Sequence, residues 1–211
     1  MAFPDPRAHR ILTEHFELRC YQPEDAEELQ ELSARNKEHF SVFNSWALRD
    51  PETIDEKLAL IEKWRGWFDM GVDFIYRVQR REDPRQISGC GLHSRIPAAG
   101  AEIGYWVDQD ETRQGVATEL AAALTRFTLE VQEPSRVVLQ VQVDNEISHR
   151  IPEKLGFHKD GILRRSLEWP DEPNRDMVVW SLLPEELAGS PAASACYEAF
   201  DDQGQLLGTG T

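Results

Sequence analysis

The spacing of apolar residues changes along the chain, and each change marks an element. "FELRCY" (Phe16 to Tyr21) alternates and predicts a strand. Gln22 and Pro23 then open a helix with Glu24 and Asp25 in its first turn, where acidic side chains meet the positive end of the helix dipole. Ala26, Leu29 and Leu32 recur on one face of it. After a loop holding Phe40, Phe43 and Trp46, "DPET" predicts a second helix, with Asp50 as N-cap and Pro51 at its first position. Ile54, Leu58, Ile61, Trp64 and Phe68 form its apolar stripe.

Three strand patterns follow, "VDFIYRVQR", "QISGCGLHS" and "AEIGYWV", separated by turn-rich "REDPR" and "RIPAAG". A helix from about Gln114 to Gln132 carries Val116, Leu120, Leu124, Phe127 and Val131 on one face, and Pro134 ends it. "RVVLQVQV" reads as a strand covered on both faces. "DNEISHRIPEKLGF" has helical spacing at Ile147, Ile151 and Leu155, with Gly156 closing it. "FHKDGILRRSLEW" and "RDMVVWSLL" form a strand pair joined by "PDEPN". Meander first and strand–helix–strand later, this order predicts a mixed α/β (α+β) fold: a mostly antiparallel seven-stranded sheet flanked by helices. Residues 1–187 form one domain in this reading. From Ala188 the composition turns to Ala, Ser, Gly and acid, so 188–211 is expected to be a tail with a short hairpin or partial disorder.

Composition narrows the class. Lys plus Arg total 23 against 38 Asp plus Glu, a formal net charge of −15 over 211 residues. That field repels nucleic acid and anionic membranes and suits cationic partners, although acidity also serves solubility alone. No apolar run is long enough to span a bilayer, and the start, "MAFPDPRAHRIL", lacks the layout of a signal peptide. Cys20, Cys90 and Cys196 lie far apart, so neither a zinc knot nor a disulfide framework is expected, and a reducing cytoplasm is the natural setting. The six histidines show no metal-ligand spacing, "GCG" at 89–91 is not followed by a helix, and no serine sits in G-x-S-x-G.

The stretch "DETRQGVATEL" stands where a strand runs into a helix. Such a junction aims backbone N–H groups and the positive helix terminus at one spot. Gly115 permits close approach of a bulky anion, Ala117 and Thr118 stay small, and Arg113 adds a fork of donors. These features suit a pyrophosphate, and equally a plain loop. Screening beyond about 10 Å lets local donors outweigh the overall acidity.

Together "EIGYWVDQDETRQGVATELAAALTRF", "DNEISHRIPEKLGFHKDGILRRSL" and "RDMVVWSLLPEE" resemble the GNAT superfamily of N-acetyltransferases, over roughly Phe16 to Leu187. Within it the chain looks most like the branch that acetylates N-termini of ribosomal proteins and also includes antibiotic-modifying relatives. The family's pyrophosphate loop is commonly Gln/Arg-x-x-Gly-x-Gly/Ala. Here it aligns with Thr112, Arg113, Gln114, Gly115, Val116 and Ala117, so the second half matches and Thr112 departs, free to act as helix N-cap. The resemblance implies that backbone amides from Arg113 to Thr118 hold the pyrophosphate of acetyl-CoA. It also implies that Tyr105, Trp106 and Val107 pair with the pantetheine arm, with Trp106 or Val107 polarising the thioester carbonyl. Such a donor is typically worth about 3 kcal/mol of barrier.

Glu102 matches the position where many members carry a base acting through water; the alternative is a solvated strand end. Glu168, Asp171 and Glu172 would attract the amine or simply form a polar turn. Asn145 and Ser148 match the N-x-x-S of this branch, and the superfamily's proton-donating tyrosine falls at Pro152. Ser148 is therefore the candidate partner of the sulfur. Pro152 inside a helix removes the bond to the carbonyl of residue 148, so the helix is either kinked there or starts later. The function implied is acetyl transfer from acetyl-CoA, without a metal, to a primary amine: a protein or peptide N-terminus, or a small cationic amine. An alternative is a catalytically weak acyl-CoA-binding module. An exposed strand in the tail would allow a homodimer.

Overall fold

Ten strands form one continuous sheet in the computed structural model, which describes residues 3 and 5–211. They are β1 (Arg10–Leu12), β2 (Phe16–Cys20), β3 (Asp73–Arg80), β4 (Asp83–Ile96), β5 (Gly100–Val107), β6 (Val137–Gln142), β7 (His158–Leu167), β8 (Arg175–Leu182), β9 (Tyr197–Phe200) and β10 (Leu206–Gly210). Their order is β10-β9-β1-β2-β3-β4-β5-β6-β8-β7. The sheet is mixed and mostly antiparallel, as expected, but it has ten strands where seven were expected. The added three are β1, too short to show alternation, and the hairpin β9–β10. That hairpin docks on β1 of its own chain, in the register Arg10↔Phe200 and Leu12↔Glu198.

The helices are α1 (Ala26–Ser41), α2 (Ile54–Asp69), α3 (Val116–Phe127) and α4 (Glu146–Lys154). The cap of α2 is not Asp50. Thr53 accepts from the Glu56 N–H while the Glu56 carboxylate accepts from the Thr53 N–H, a reciprocal capping box. Asp50 is committed elsewhere, 2.6 Å from the buried Lys57 Nζ, which also donates to Ser33 Oγ. The α3 helix is shorter than its apolar stripe suggested, because it passes into a π-helical turn at Thr128–Gln132.

Two apolar layers sandwich the sheet. The larger unites α3 and α4 residues such as Val116, Leu120 and Ile151 with the sheet, and Tyr105 and Val107 pack against it. On the other face, Tyr21 just past β2, Ala26 and Leu29 of α1 and Ile61 of α2 pack with Ile75 and Trp106. Successive residues of a strand point to opposite faces. The odd residues of β5 therefore face α3 and α4, and the even ones face α1 and α2.

The connection β5–α3–β6 makes the one parallel pairing of the sheet among the described residues, as a strand–helix–strand crossover must. Pairing spans only Ala101↔Val137 and Glu102↔Val138. Beyond Glu102 the two strands part, although β5 stays fully paired with β4 as far as Val107↔Ser88.

Candidate active site

The parting of β5 from β6 leaves one edge of β5 with unspent backbone groups. Ala101 donates its N–H to Arg136 O on the β6 side, whereas Asp108 donates to Ile87 O on the β4 side. Alternation between them turns the N–H groups of Ile103, Tyr105 and Val107 to the β6 side; the last parallel pair, Glu102↔Val138, takes up that of Ile103, and those of Tyr105 and Val107 lie on the open edge. The Trp106 N–H points to β4, and Ser88 Oγ donates to the Trp106 carbonyl there. Of the two expected carbonyl donors, Val107 faces the opening and Trp106 does not.

At the C-terminal end of β5, Asp108 anchors the strand to α1. It is fully buried, accepts from Arg35 and from Asn36 Nδ2, and Asn36 Oδ1 in turn accepts the Gln109 N–H. Burial alone would push this carboxyl up, but the Arg35 and Asn36 hydrogen bonds outweigh it and hold it below the usual range. The chain then turns through Gln109–Glu111 to α3. Thr112 does not cap α3; its hydroxyl donates to Gln109 O. Gly115 is the N-cap residue, in the left-handed region at φ +85°, and Arg113 is also left-handed at φ +63°. No side chain caps the helix, so the N–H groups of Val116, Ala117 and Thr118 keep their donors free of helical partners. A Cβ on Gly115 would meet nothing within 4 Å, so the chain is open at the start of the helix. Gln114 is tied back to Asp110 O and to Arg80, while the exposed Arg113 side chain makes no hydrogen bond or ion pair among the described residues.

Across the opening stands α4. Asn145 caps it, its Oδ1 accepting the Ser148 N–H at 3.2 Å, so the amide side chain is spent on the helix. Pro152 lies inside α4, and the helix continues through it to Lys154 rather than starting later. The Ser148 carbonyl consequently lacks its helical donor. The Ser148 side chain lies against the Tyr105 hydroxyl. That hydroxyl is buried, with no hydrogen bond of good geometry, and burial pushes the phenol well above its ordinary range.

On the opposite face of β5, Trp106 covers Gly89, and its ring lies 5.1 Å from that of Phe40, which in turn stacks near Trp46. Glu102 is buried and doubly bound: Arg95 donates to both carboxylate oxygens at 2.8 and 2.7 Å, and Gln140 Nε2 donates to one of them. Glu168 pairs with Arg49 at 3.3 Å and Glu172 with Arg175 at 3.5 Å, so two of the three acids in that turn have cationic partners. Gln142 and Arg175 donate to the carbonyls of Phe43 and Val42, which fastens the α1–α2 connection across this side. His93, absent from the sequence reading because its partners lie on other strands, sits beside Glu102 in the β4–β5 register. A cleft of about 610 Å³ lies away from this junction, among β1, β2, α2 and the C-terminal hairpin, and shares no residue with it.

A splayed parallel pair leading into an uncapped helix N-terminus fits a long ligand with a peptide-like arm and a diphosphate, which defines an acyl-CoA-dependent transferase. The chain belongs to the GNAT acetyltransferase family, whose domain model matches residues 15–158. It is 29% identical over 184 residues to the putative ribosomal N-acetyltransferase YdaF of Bacillus subtilis, covering 84% of this chain and 96% of that one. Among solved structures, a probable acetyltransferase superposes with TM-score 0.73 at 28% identity, over 82% of this chain and 95% of that one. Mycobacterium smegmatis RimJ in complex with CoA-disulfide superposes with TM-score 0.77 at 21% identity, over 91% and 94%. The protein is thus an N-acetyltransferase that draws its acetyl group from acetyl-CoA and passes it to an amine.

Proposed function

We propose that the acceptor is the α-amine of a protein or peptide N-terminus, attacked directly on acetyl-CoA in a ternary complex. The observation that supports this most is the opening of β5 from β6 beyond Glu102, floored by an aromatic and glycine surface on the α1 and α2 side. An extended peptide end fits such a groove, and the net charge of −15 favours a cationic amine terminus. The naming of YdaF as a ribosomal N-acetyltransferase points the same way.

In this reading the amides of Val116, Ala117 and Thr118, with Gly115 giving them room and Arg113 adding charge, hold the diphosphate. The open-edge amides of Tyr105 and Val107 pair with the pantetheine arm and polarise the thioester carbonyl. Ser148 donates to the leaving sulfur, and the enclosed Tyr105 hydroxyl behind it keeps its proton at neutral pH and supplies the next donor in line. Asn145 positions Ser148 through the helix cap. A second copy of the chain would add at a sheet edge, β10 or β7.

The test is calorimetry with acetyl-CoA, followed by thiol release against peptides with free N-termini and against small diamines. Acetyl-CoA-dependent thiol release with peptides, absent after their N-termini are blocked, is the expected result. Turnover confined to small amines would overturn the acceptor, and binding without any thiol release would return the protein to a binding module.

A further inference from the structure

The amine must shed a proton before it attacks, and Glu102 is poorly placed to take it. Both its oxygens are held by Arg95, and Gln140 takes a further lone pair. A carboxylate gripped bidentately by a guanidinium has its lone pairs already committed and its position fixed away from an incoming amine.

His93 is placed differently. It pairs with Glu102 in the β4–β5 register, so both point to the α1 and α2 face. Its imidazole lies across the paired glycines Gly91 and Gly104: a Cβ on either would come within 3.2 Å of Nε2. Gly104 is the second residue past the last β5–β6 pair, Glu102↔Val138, and directly precedes Tyr105, whose side chain faces Ser148 from the other side of the sheet. Nε2 therefore overlies the start of the opening, on the acceptor side. Nδ1 is enclosed and lies 3.2 Å from Asp73 Oδ2 on β3, with an alignment short of a good hydrogen bond. Such contacts commonly tighten when substrate arrives. Nε2 has no hydrogen-bond partner among the described residues, and the side chain keeps 16% of its exposure. The charged groups around the ring are Asp73 on β3, Arg95 on β4 and Glu102 on β5, the last two satisfied by each other. No ion pair or hydrogen bond reaches it from α1, α2 or β6 among the described residues.

We propose that His93 is the base that deprotonates the incoming amine, with Asp73 as the positioning residue that holds its Nδ1–H and leaves the Nε2 lone pair facing the acceptor. This rests on the acetyl-transfer reading above. Nε2 takes one proton from the ammonium. The free amine forms the C–N bond at the thioester carbonyl carbon as the C–S bond breaks. The second N–H proton of the former ammonium passes to the thiolate through Ser148, and His93 returns its proton to solvent. One ammonium and one thioester thus give one amide, one thiol and one proton.

The test uses the full-length protein. His93→Gln is expected to lower kcat about 10²- to 10⁴-fold, with acetyl-CoA affinity within twofold of wild type by calorimetry and with the acidic limb of the kcat profile lost. Glu102→Gln keeps that limb. Asp73→Asn lowers kcat with acetyl-CoA affinity unchanged, because the ring loses the contact that orients it. Nitrogen-15 spectra of the coenzyme A complex at alkaline pH are expected to show His93 protonated on Nδ1, with the preference lost in Asp73→Asn. Full kcat with an unchanged acidic limb in His93→Gln, or a ring protonated on Nε2, overturns the proposal. Wild-type protein that binds acetyl-CoA but releases no thiol overturns the transfer reading itself, whereas undiminished turnover in His93→Gln overturns only this assignment.

Discussion

Gly115→Ala separates a phosphate seat from an ordinary helix cap. The residue sits at φ +85°, where a Cβ costs about 1–2 kcal/mol. No neighbour lies within 4 Å of that Cβ, so the cost has no steric addition in the free protein. For a chain of this size 1 kcal/mol lowers Tm by about 2–4 °C, and the folded state should survive comfortably. The added methyl enters open space at the start of α3, next in the chain to the free N–H groups of Val116, Ala117 and Thr118. If a diphosphate occupies that space, at least one amide–phosphate hydrogen bond is lengthened or lost. A hydrogen bond to a charged group contributes about 1.5–3 kcal/mol, which corresponds to roughly 10- to 150-fold weaker acetyl-CoA binding.

The assay is calorimetry with acetyl-CoA beside a thermal melt. Pantetheine, which has no diphosphate, is the control, and its weak binding should change by less than twofold. A melt lowered by a few degrees with acetyl-CoA affinity unchanged would refute the assignment. It would leave Gly115 a residue chosen only for its backbone angle.

Three other groups of residues give further outcomes. Ser148→Ala and Tyr105→Phe should each slow thiol release without weakening acetyl-CoA binding. Their double mutant should lose less than the product of the two, because both act on one proton; strict additivity would separate them. Asp50→Ala strands the buried Lys57 ammonium and should cost about 3 kcal/mol, read as a Tm drop of roughly 6–12 °C, while Lys57→Met with Asp50→Ala together should recover most of it. Asp108 and Asp25 both sit below the usual carboxylate range. In Asp25 the Arg19, Gln22 and Arg77 contacts overcome an opposing burial effect. A depressed folded-state value favours the ionised form in the fold, so this stability is present above about pH 4 and lost as pH falls through the depressed values. Melts between pH 5 and 3 should show it, and Asp108→Asn should flatten the slope; an identical slope would remove Asp108 from the account.

The strands with sustained alternation were legible because the period of two survives whatever packs on either face. The RIL of β1 is too short to carry that signal and is a strand because it pairs with β2 and β9, while the tail hairpin, expected only as one of two outcomes, is fixed by β9 pairing with β1 and β10. Caps were read less well than elements. Pro51 drew the start of α2 forward, yet Thr53 and Glu56 form the reciprocal pair, and Asp50 answers a buried lysine that lies a helical turn inside. Thr112 looked like a cap for α3, but the left-handed turns at Arg113 and Gly115 place three residues between it and the helix. The strand–helix junction proposed to seat the diphosphate was legible because its glycine is visible in one dimension and its donors are backbone. The surroundings of Glu102 and His93 were not, because they come from neighbours across strands. Arg95 reaches Glu102 through an irregularity between His93 and Ile96, and Asp73 reaches His93 from β3.

The alternation of β5 explains how one strand can serve two substrates without mixing them. Its odd residues turn Tyr105 and Val107 side chains toward α3 and α4, and their amides lie on the open edge. Its even residues turn Glu102 and Trp106 toward α1 and α2, with Gly104 leaving a gap there that the His93 ring covers. The proposed proton uptake from the amine and proton delivery to the sulfur therefore fall on opposite faces of the same few residues. A single-residue slip of β5 would exchange them. That slip is opposed at both ends, by the buried Asp108 locked to Arg35 and Asn36 and by the Glu102 carboxylate locked to Arg95. On this view the Arg95–Glu102 pair belongs to the site because it fixes the register of the strand. Glu102→Gln should then lower kcat through misplacement, with the pH profile intact and partial recovery at lower temperature, where local opening is less frequent.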